Sequence, residues 1–296
     1  MATVGIVGLG IMGTKCYQKL AEHGIAVSGF DLFPAAMERA AKNGLKTYAS
    51  AAELAAAVDI VIMFIPGPAD CHAACFGAGG IAEGAHDGLI VLNMSTVDPD
   101  TNVQLAEKFT AMNVVLMDAP ILGSPNNVGG WAIPLGGSDG NYDKVKDILV
   151  ILTGGEQKIF KAGTVGNGNK VKLLNNMLLG AINGCASEIM ALAKHINLSQ
   201  QLLIDAAIAA NARTLSSAYK EVAERIIEER YDPPTFSLDL LKKDNKLCLD
   251  MANAAGAPLV IGNAIDYVNR MASSQGYGKL DHAVAWKPVY DNWQKK

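Results

Sequence analysis

The run Gly166-Asn167-Gly168-Asn169-Lys170-Val171-Lys172-Leu173-Leu174-Asn175-Asn176 carries the residues best suited to move a proton. Lys172 and Asn176 are four apart and share one face of a helix, whereas Lys170, two away from Lys172, falls on nearly the opposite side. An ammonium near a helix start, against the positive end of the dipole and an apolar wall, has its proton loosened. Such a group serves as an acid in one direction and a base in the other, and Asn176 fixes a substrate oxygen or orients the lysine. The other candidates are weaker. Cys71-His72 with Cys75 lacks the second pair that a tetrahedral metal site needs, so no metal is expected. His23, His72, His86 and His282 show no partner pattern, and His195 reads as a polar cap at a helix end.

A second constellation opens the chain. Thr3-Val4-Gly5-Ile6-Val7 reads as a buried strand, and Gly8, Gly10 and Gly13 follow with G-x-G-x-x-G spacing at the turn into a helix over 14–23. Gly8 permits the tight turn, Gly10 lets a pyrophosphate approach the backbone, and Gly13 lets the helix pack on the strand. Unpaired N–H groups and the helix dipole then face the phosphate. A second strand over 25–30 ends at Asp31, which is placed to accept hydrogen bonds from ribose hydroxyls and to repel a 2′-phosphate. Leu32, Phe33 and Pro34 supply no arginine to attract one. The expected cofactor is therefore NAD rather than NADP.

The elements that must position these groups alternate through the first half. Helices over 34–43, 51–57 and 69–76 separate strands at 46–48, 59–65, 89–93 and 114–118, and Ser95-Thr96-Val97-Asp98-Pro99 starts a helix to Met112. Ile121–Gly140 reads as loop-rich, followed by a helix over 141–152 and a strand over 157–160. This alternation implies right-handed crossovers and an α/β fold, a Rossmann-type doubly wound parallel sheet over residues 1–163. Ligands of such sheets bind beyond the strands' carboxyl ends, which singles out Ile65-Pro66, Ser95-Thr96 and Asp118-Ala119-Pro120 beside the glycine loop. Residues 164–296 read as all-helical, with segments at 170–195, 199–211, 216–230, 238–255, 258–274 and 280–293. The first is apolar almost all round and is expected to be buried. Gly180, Gly184 and Ala186 leave room on it for another helix.

Composition bounds the rest. The chain has 296 residues, half of them hydrophobic and 18% charged, which excludes disorder. A net charge of −4 without blocks of like charge leaves no nucleic-acid footprint. No hydrophobic run reaches the roughly 18 residues of a membrane span. The first strand follows Met1-Ala2-Thr3 directly, leaving no room for a signal peptide, so a cytoplasmic protein with five reduced cysteines is expected.

With these motifs together, the whole chain resembles the β-hydroxyacid dehydrogenase family, which contains 3-hydroxyisobutyrate dehydrogenase and tartronate semialdehyde reductase. The resemblance rests on Gly8-Leu9-Gly10-Ile11-Met12-Gly13, Ser95-Thr96, Asp118-Ala119-Pro120, Gly136-Gly137, Lys172-x-x-Asn175-Asn176 and Lys243-Asp244. It implies an NAD-dependent oxidoreductase that interconverts a β-hydroxy acid and its semialdehyde by hydride transfer. Lys172 matches the family's catalytic lysine and Asn176 its substrate-site asparagine. Ile11 and Met12 complete the cofactor loop, and Ile65, Pro66, Asp70 and Thr96 match dinucleotide contacts. Lys243 matches a lysine reaching the cofactor from the helical domain, and Phe236 lies close to the nicotinamide, at the substrate. The 6-phosphogluconate dehydrogenases typically have His-Asn where this chain has Asn175-Asn176.

One departure bears on the substrate. Relatives follow the Asp-Ala-Pro step with Val-Ser-Gly-Gly, whose serine and glycines hold the substrate carboxylate, whereas this chain reads Ile121-Leu122-Gly123-Ser124. Leu122 occupies the serine position, Gly123 offers its backbone N–H, and Ser124 offers a hydroxyl instead. Some relatives that reduce sulfolactaldehyde also lack the serine, so the alternative is a reductase of that or another polar aldehyde. Arg213 is a candidate partner for an anionic head group, against an ordinary helix-end arginine. Trp131 either lines the pocket or only packs. A non-catalytic NAD-binding protein is the reading from another class. The helical domain is expected to close the pocket and to form a homodimer or homotetramer through its apolar faces.

Overall fold

A computed structural model describes residues 2–138 and 140–294. The chain forms two compact units, Met1–Lys172 and Leu173–Lys296. The first alternates β1 (Val4–Val7), α1 (Ile11–Glu22), β2 (Val27–Phe30), α2 (Pro34–Lys42), β3 (Lys46–Thr47), α3 (Ala51–Ala55), β4 (Ile60–Met63), α4 (Pro68–Phe76), β5 (Ile90–Asn93), α5 (Pro99–Thr110) and β6 (Val115–Asp118). It closes with β7 (Ile133–Gly136), α6 (Tyr142–Thr153) and β8 (Ile159–Gly163).

The eight strands form one sheet in the order β3-β2-β1-β4-β5-β6-β7-β8. Every neighbouring pair is parallel except β6 and β7. Successive side chains on the central strands point to opposite faces. Ile6, Ile62 and Leu92 join a core with α1, α2 and α6, while Val7, Val61 and Val91 join a second core with α3, α4 and α5. The doubly wound architecture follows, with helices on both faces of a sheet whose central strands are buried. Two details differ from the sequence reading. β7 lies inside the stretch expected to be loop, and it runs antiparallel to β6, so the sheet is mostly rather than wholly parallel. The helix expected to start at Ser95 begins at Pro99, where Asp98 caps it by accepting the Thr101 N–H at 2.8 Å.

The second unit is helical: α7 (Asn167–His195), whose first turns belong to the sheet unit, then α8 (Gln200–Ala209), α9 (Ser217–Ile227), α10 (Leu238–Ala254), α11 (Val260–Ala272) and α12 (Trp286–Gln294). Met190, Ile204, Val222, Ile226, Leu238 and Trp286 fill its core. α7 meets α10 closely at Gly180, where a Cβ would lie 2.3 Å from Asn245 Nδ2. The expectation that α7 is buried on most faces is corrected, because Leu174, Leu178, Ile189 and Leu192 are exposed. By length and composition α7 is apolar enough to cross a membrane. Its buried side chains Asn176 and Asn183, however, are hydrogen-bonded inside the helical unit, as befits a core helix.

Candidate active site

The parallel register levels the carboxyl ends of five strands. Phe30 pairs with Val7, Val7 with Met63, Met63 with Asn93, and Asn93 with Asp118. The residues that follow each end therefore leave the sheet along one edge: Asp31, Gly8, Ile65-Pro66, Ser95-Thr96 and Ala119-Pro120-Ile121. Of the residues singled out in the sequence, Gly8, Asp31, Ile65, Pro66 and Thr96 lie just past these strand ends.

The glycine loop behaves as its spacing predicts. At Gly8, φ is +99° and a Cβ would lie 2.3 Å from the Phe64 carbonyl oxygen; at Gly13 it would lie 1.9 Å from the Gly8 carbonyl oxygen. Gly10 differs: nothing stands within 4 Å of a Cβ built there, and no side chain caps α1 at this residue. This open cradle at an uncapped helix start fits a dinucleotide pyrophosphate. Between the glycines, Ile11 is exposed and Met12 half-buried.

Asp31 is more than a solvated strand end. Its carboxylate accepts the Leu9 N–H at 2.6 Å and the Phe33 N–H at 2.8 Å, which fixes the glycine loop from β2. Arg39 on α2 completes the clasp by donating to the Leu9 carbonyl at 2.8 Å. No sequence signal points to this arginine, which lies eight residues past Asp31. Further along the edge, the Ser95 hydroxyl accepts the Ile65 N–H at 2.8 Å, and buried Asn93 accepts the Ser95 N–H at 3.1 Å. These bonds set Ile65 and Ser95, next to Pro66 and Thr96, while Asp70 stands exposed in the first turn of α4.

Lys172 is brought to the same edge by Asp118. One Asp118 oxygen accepts the Gly166 N–H and the other the Asn169 N–H, both at 2.7 Å, so the start of α7 is pinned to the end of β6. Burial pushes this carboxyl up, and the N–H groups of Asn169 and Gly166 pull it back down. Asn169 also accepts the Val97 N–H at 3.1 Å. From this pinned turn Lys172 Nζ donates to the Ile121 carbonyl at 2.7 Å. Lys170 points elsewhere, exposed and bonded to Asn167.

The loop carrying Leu122, Gly123 and Ser124 is ordered by its own contacts. Leu122 forms an antiparallel bridge with Ala132, its N–H and carbonyl both used at 2.8 and 3.0 Å. Trp131 is fully buried, and its indole N–H donates to the Ser124 carbonyl at 2.8 Å. The tryptophan thus packs beneath the loop.

Within the helical unit, Asn176 is buried and donates to Asp244 Oδ2 at 2.6 Å; the other Asp244 oxygen pairs with Lys243 Nζ at 3.0 Å. Asp244 thus gathers two sequence-predicted residues, a role that its place in the Lys243-Asp244 step only hinted at. Phe236 packs edge-on against His282, ring centroids 6.1 Å apart. His282 corrects the expectation of a partnerless histidine: it is buried, its Nδ1 lies 2.9 Å from Asn183 Oδ1, and burial holds its pKa below the usual histidine range. Arg213 stands exposed in the turn between α8 and α9. Among the described residues, no hydrogen bond or ion pair joins it to Asn176, Asp244 or Lys243. Burial pushes the Cys16 and Cys75 thiols up, which removes them from nucleophilic chemistry. Among the described residues, no group of three His, Cys, Asp or Glu is placed to hold a metal ion.

A glycine cradle at the carboxyl edge of a doubly wound sheet is the mark of an NAD(P)-binding domain. Residues 3–163 match the family model described as the NAD-binding domain of 6-phosphogluconate dehydrogenase. Residues 166–289 match the model for the NAD-binding region of NADP-dependent 3-hydroxyisobutyrate dehydrogenase. The chain belongs to the β-hydroxyacid dehydrogenase family. It is 29% identical to L-threonate dehydrogenase of Cupriavidus necator, over 96% of this chain and 95% of that one. It is 28% identical to the mitochondrial 3-hydroxyisobutyrate dehydrogenase of Rattus norvegicus, over 96% and 86%. The crystal structure of 3-hydroxyisobutyrate dehydrogenase from Salmonella typhimurium superposes with a TM-score of 0.85 at 27% identity, covering 96% of this chain and 99% of that one.

Proposed function

We propose that this protein interconverts a small β-hydroxy acid and its semialdehyde, with NAD as the hydride carrier and Lys172 as general acid and base. One observation carries the reading: Lys172 Nζ is bonded at 2.7 Å to Ile121, which leads into the 122–124 loop, at the sheet edge that bears the glycine cradle. The cofactor, when bound, supplies or accepts the hydride. Gly8, Gly10, Ile11, Met12 and Gly13 would hold its pyrophosphate and Asp31 its ribose, with Ile65, Pro66, Asp70 and Thr96 along the same edge. In oxidation the carbinol proton passes to Nζ as the C–H hydride leaves; in reduction Nζ returns a proton to the carbonyl oxygen on which charge builds. Asn176, one turn along α7, fixes that oxygen, and Lys243 and Phe236 are assigned by resemblance to the nicotinamide side. Dinucleotide binding is assigned to residues 1–163, and substrate binding and oligomerisation to 164–296.

NAD is favoured because the Asp31 carboxylate occupies the end of β2, where it would repel a 2′-phosphate. The Leu122 backbone is spent on Ala132, so the anionic head group falls to Gly123 and Ser124, with Arg213 the more distant candidate. A polyhydroxy acid suits this polar tip, in keeping with the similarity to an L-threonate dehydrogenase, and a sulfonate such as sulfolactaldehyde is the alternative. The exposed Leu178, Ile189 and Leu202 suit burial between identical chains in a dimer or tetramer, and light scattering reads the mass.

The test is turnover with both cofactors on L-threonate, 3-hydroxyisobutyrate and sulfolactate, and NADH oxidation with tartronate semialdehyde and sulfolactaldehyde. Turnover of one of these acids or aldehydes, preferring NAD, is expected. Tight NADH binding with turnover of none supports a non-catalytic binding protein instead.

A further inference from the structure

We propose that Trp131 is a positioning residue for the anionic head group of the substrate, acting through the 121–124 loop. The inference rests on the reading that Gly123 and Ser124 hold that group. Three contacts carry it. The indole N–H donates to the Ser124 carbonyl at 2.8 Å, and the same carbonyl accepts the Asn127 N–H at 3.1 Å. The indole edge lies against Gly123 so closely that a Cβ there would stand 2.7 Å from Trp131 Cδ1. The ring itself is fully buried in the core that contains Ile121, Ile133 and Leu135.

A rigid core residue therefore fixes two consecutive loop residues, one by a hydrogen bond and one by contact. The neighbouring Leu122–Ala132 bridge holds the Ile121 side of the loop separately, so the Lys172 anchor does not depend on the indole. Ser124 does not spend its hydroxyl capping the turn at 125–127, so Trp131 presents that hydroxyl and the Gly123 N–H without competing for them. Binding sites need such support, because a group placed about 0.5 Å off loses its interaction.

The test compares Trp131→Phe, which keeps an aromatic ring and deletes the N–H, with Gly123→Ala and the double variant. Hydrogen exchange of the 122–130 amides is expected to quicken about 5-fold in Trp131→Phe, the worth of one hydrogen bond. On whichever acid of the panel turns over, KM is expected to rise about 5-fold with kcat within 2-fold and NADH affinity unchanged. Because both substitutions act on one loop, the double variant should fall short of the product of the two single effects. Unchanged exchange overturns the inference whether or not any substrate turns over. Faster exchange with an unchanged KM, or a fall in kcat alone, also overturns it. Faster exchange in a protein that turns over nothing upholds the support of the loop and counts against the proposed function.

Discussion

Gly10→Ala and Gly13→Ala separate the cofactor site from the fold that carries it. A Cβ at Gly13 would lie 1.9 Å from a backbone oxygen, which can move only if α1 lifts off the loop. Overpacking of that kind costs about 1–3 kcal/mol, and at roughly 2–4 °C per kcal/mol the Tm should fall by about 2–12 °C. A Cβ at Gly10 meets nothing within 4 Å, and the residue's φ of −66° is open to any side chain. Its Tm should stay within about 2 °C of wild type, since the weaker helix cap and the stiffer unfolded chain offset each other. The new methyl does occupy the pyrophosphate's approach. Loss of one or two charge-assisted bonds, at about 1.5–3 kcal/mol each, raises the NADH Kd by roughly 10-fold or more. Differential scanning fluorimetry and NADH fluorescence titration read the two effects separately. Wild-type NADH affinity in Gly10→Ala would refute the placement of the pyrophosphate over residue 10.

Two further outcomes follow from side-chain contacts. Asp31→Arg should shift preference towards NADP while weakening both cofactors, because the same carboxylate holds the Leu9 N–H; equal NAD and NADP preference in the wild type, from kcat/KM with each, would contradict the role of Asp31. His282 stays neutral in the fold because burial opposes its charge, with Asp281 and Glu221 pulling the other way and Arg225 adding to the burial effect. The unfolded chain therefore takes up the proton first as pH falls below about 6.5, and stability should decline from there towards the lowered folded value. Urea titrations at pH 7.5 and 5.5 check this, and His282→Gln should flatten the difference.

The sheet was legible where strands are continuous apolar runs, as at Ile60–Met63 and Ile90–Asn93, and where glycine spacing has a steric cause. β7 was hidden because Pro134 and the flanking glycines resemble loop, although a strand with only one residue paired to β6 tolerates a proline. The start of α7 at Asn167 was missed for a similar reason. Asn167-Gly168-Asn169 carries little helix propensity, and the group that caps it, Asp118, lies 48 residues before Gly166. That Lys172 and Asn176 share one helix was readable from their spacing. Arg39, Asp244 and the Asn183–His282 pair were not, because each acquires its partner only through tertiary packing.

The proposed function stands or falls with proton transfer through the Lys172 amine. Single-turnover kinetics of Lys172→Ala, with saturating NADH and the best aldehyde substrate, isolate that step. The hydride-transfer rate should drop by roughly 10²-fold or more, with the NADH Kd within 2-fold of wild type. A rate equal to wild type would show that another group, or water, delivers the proton.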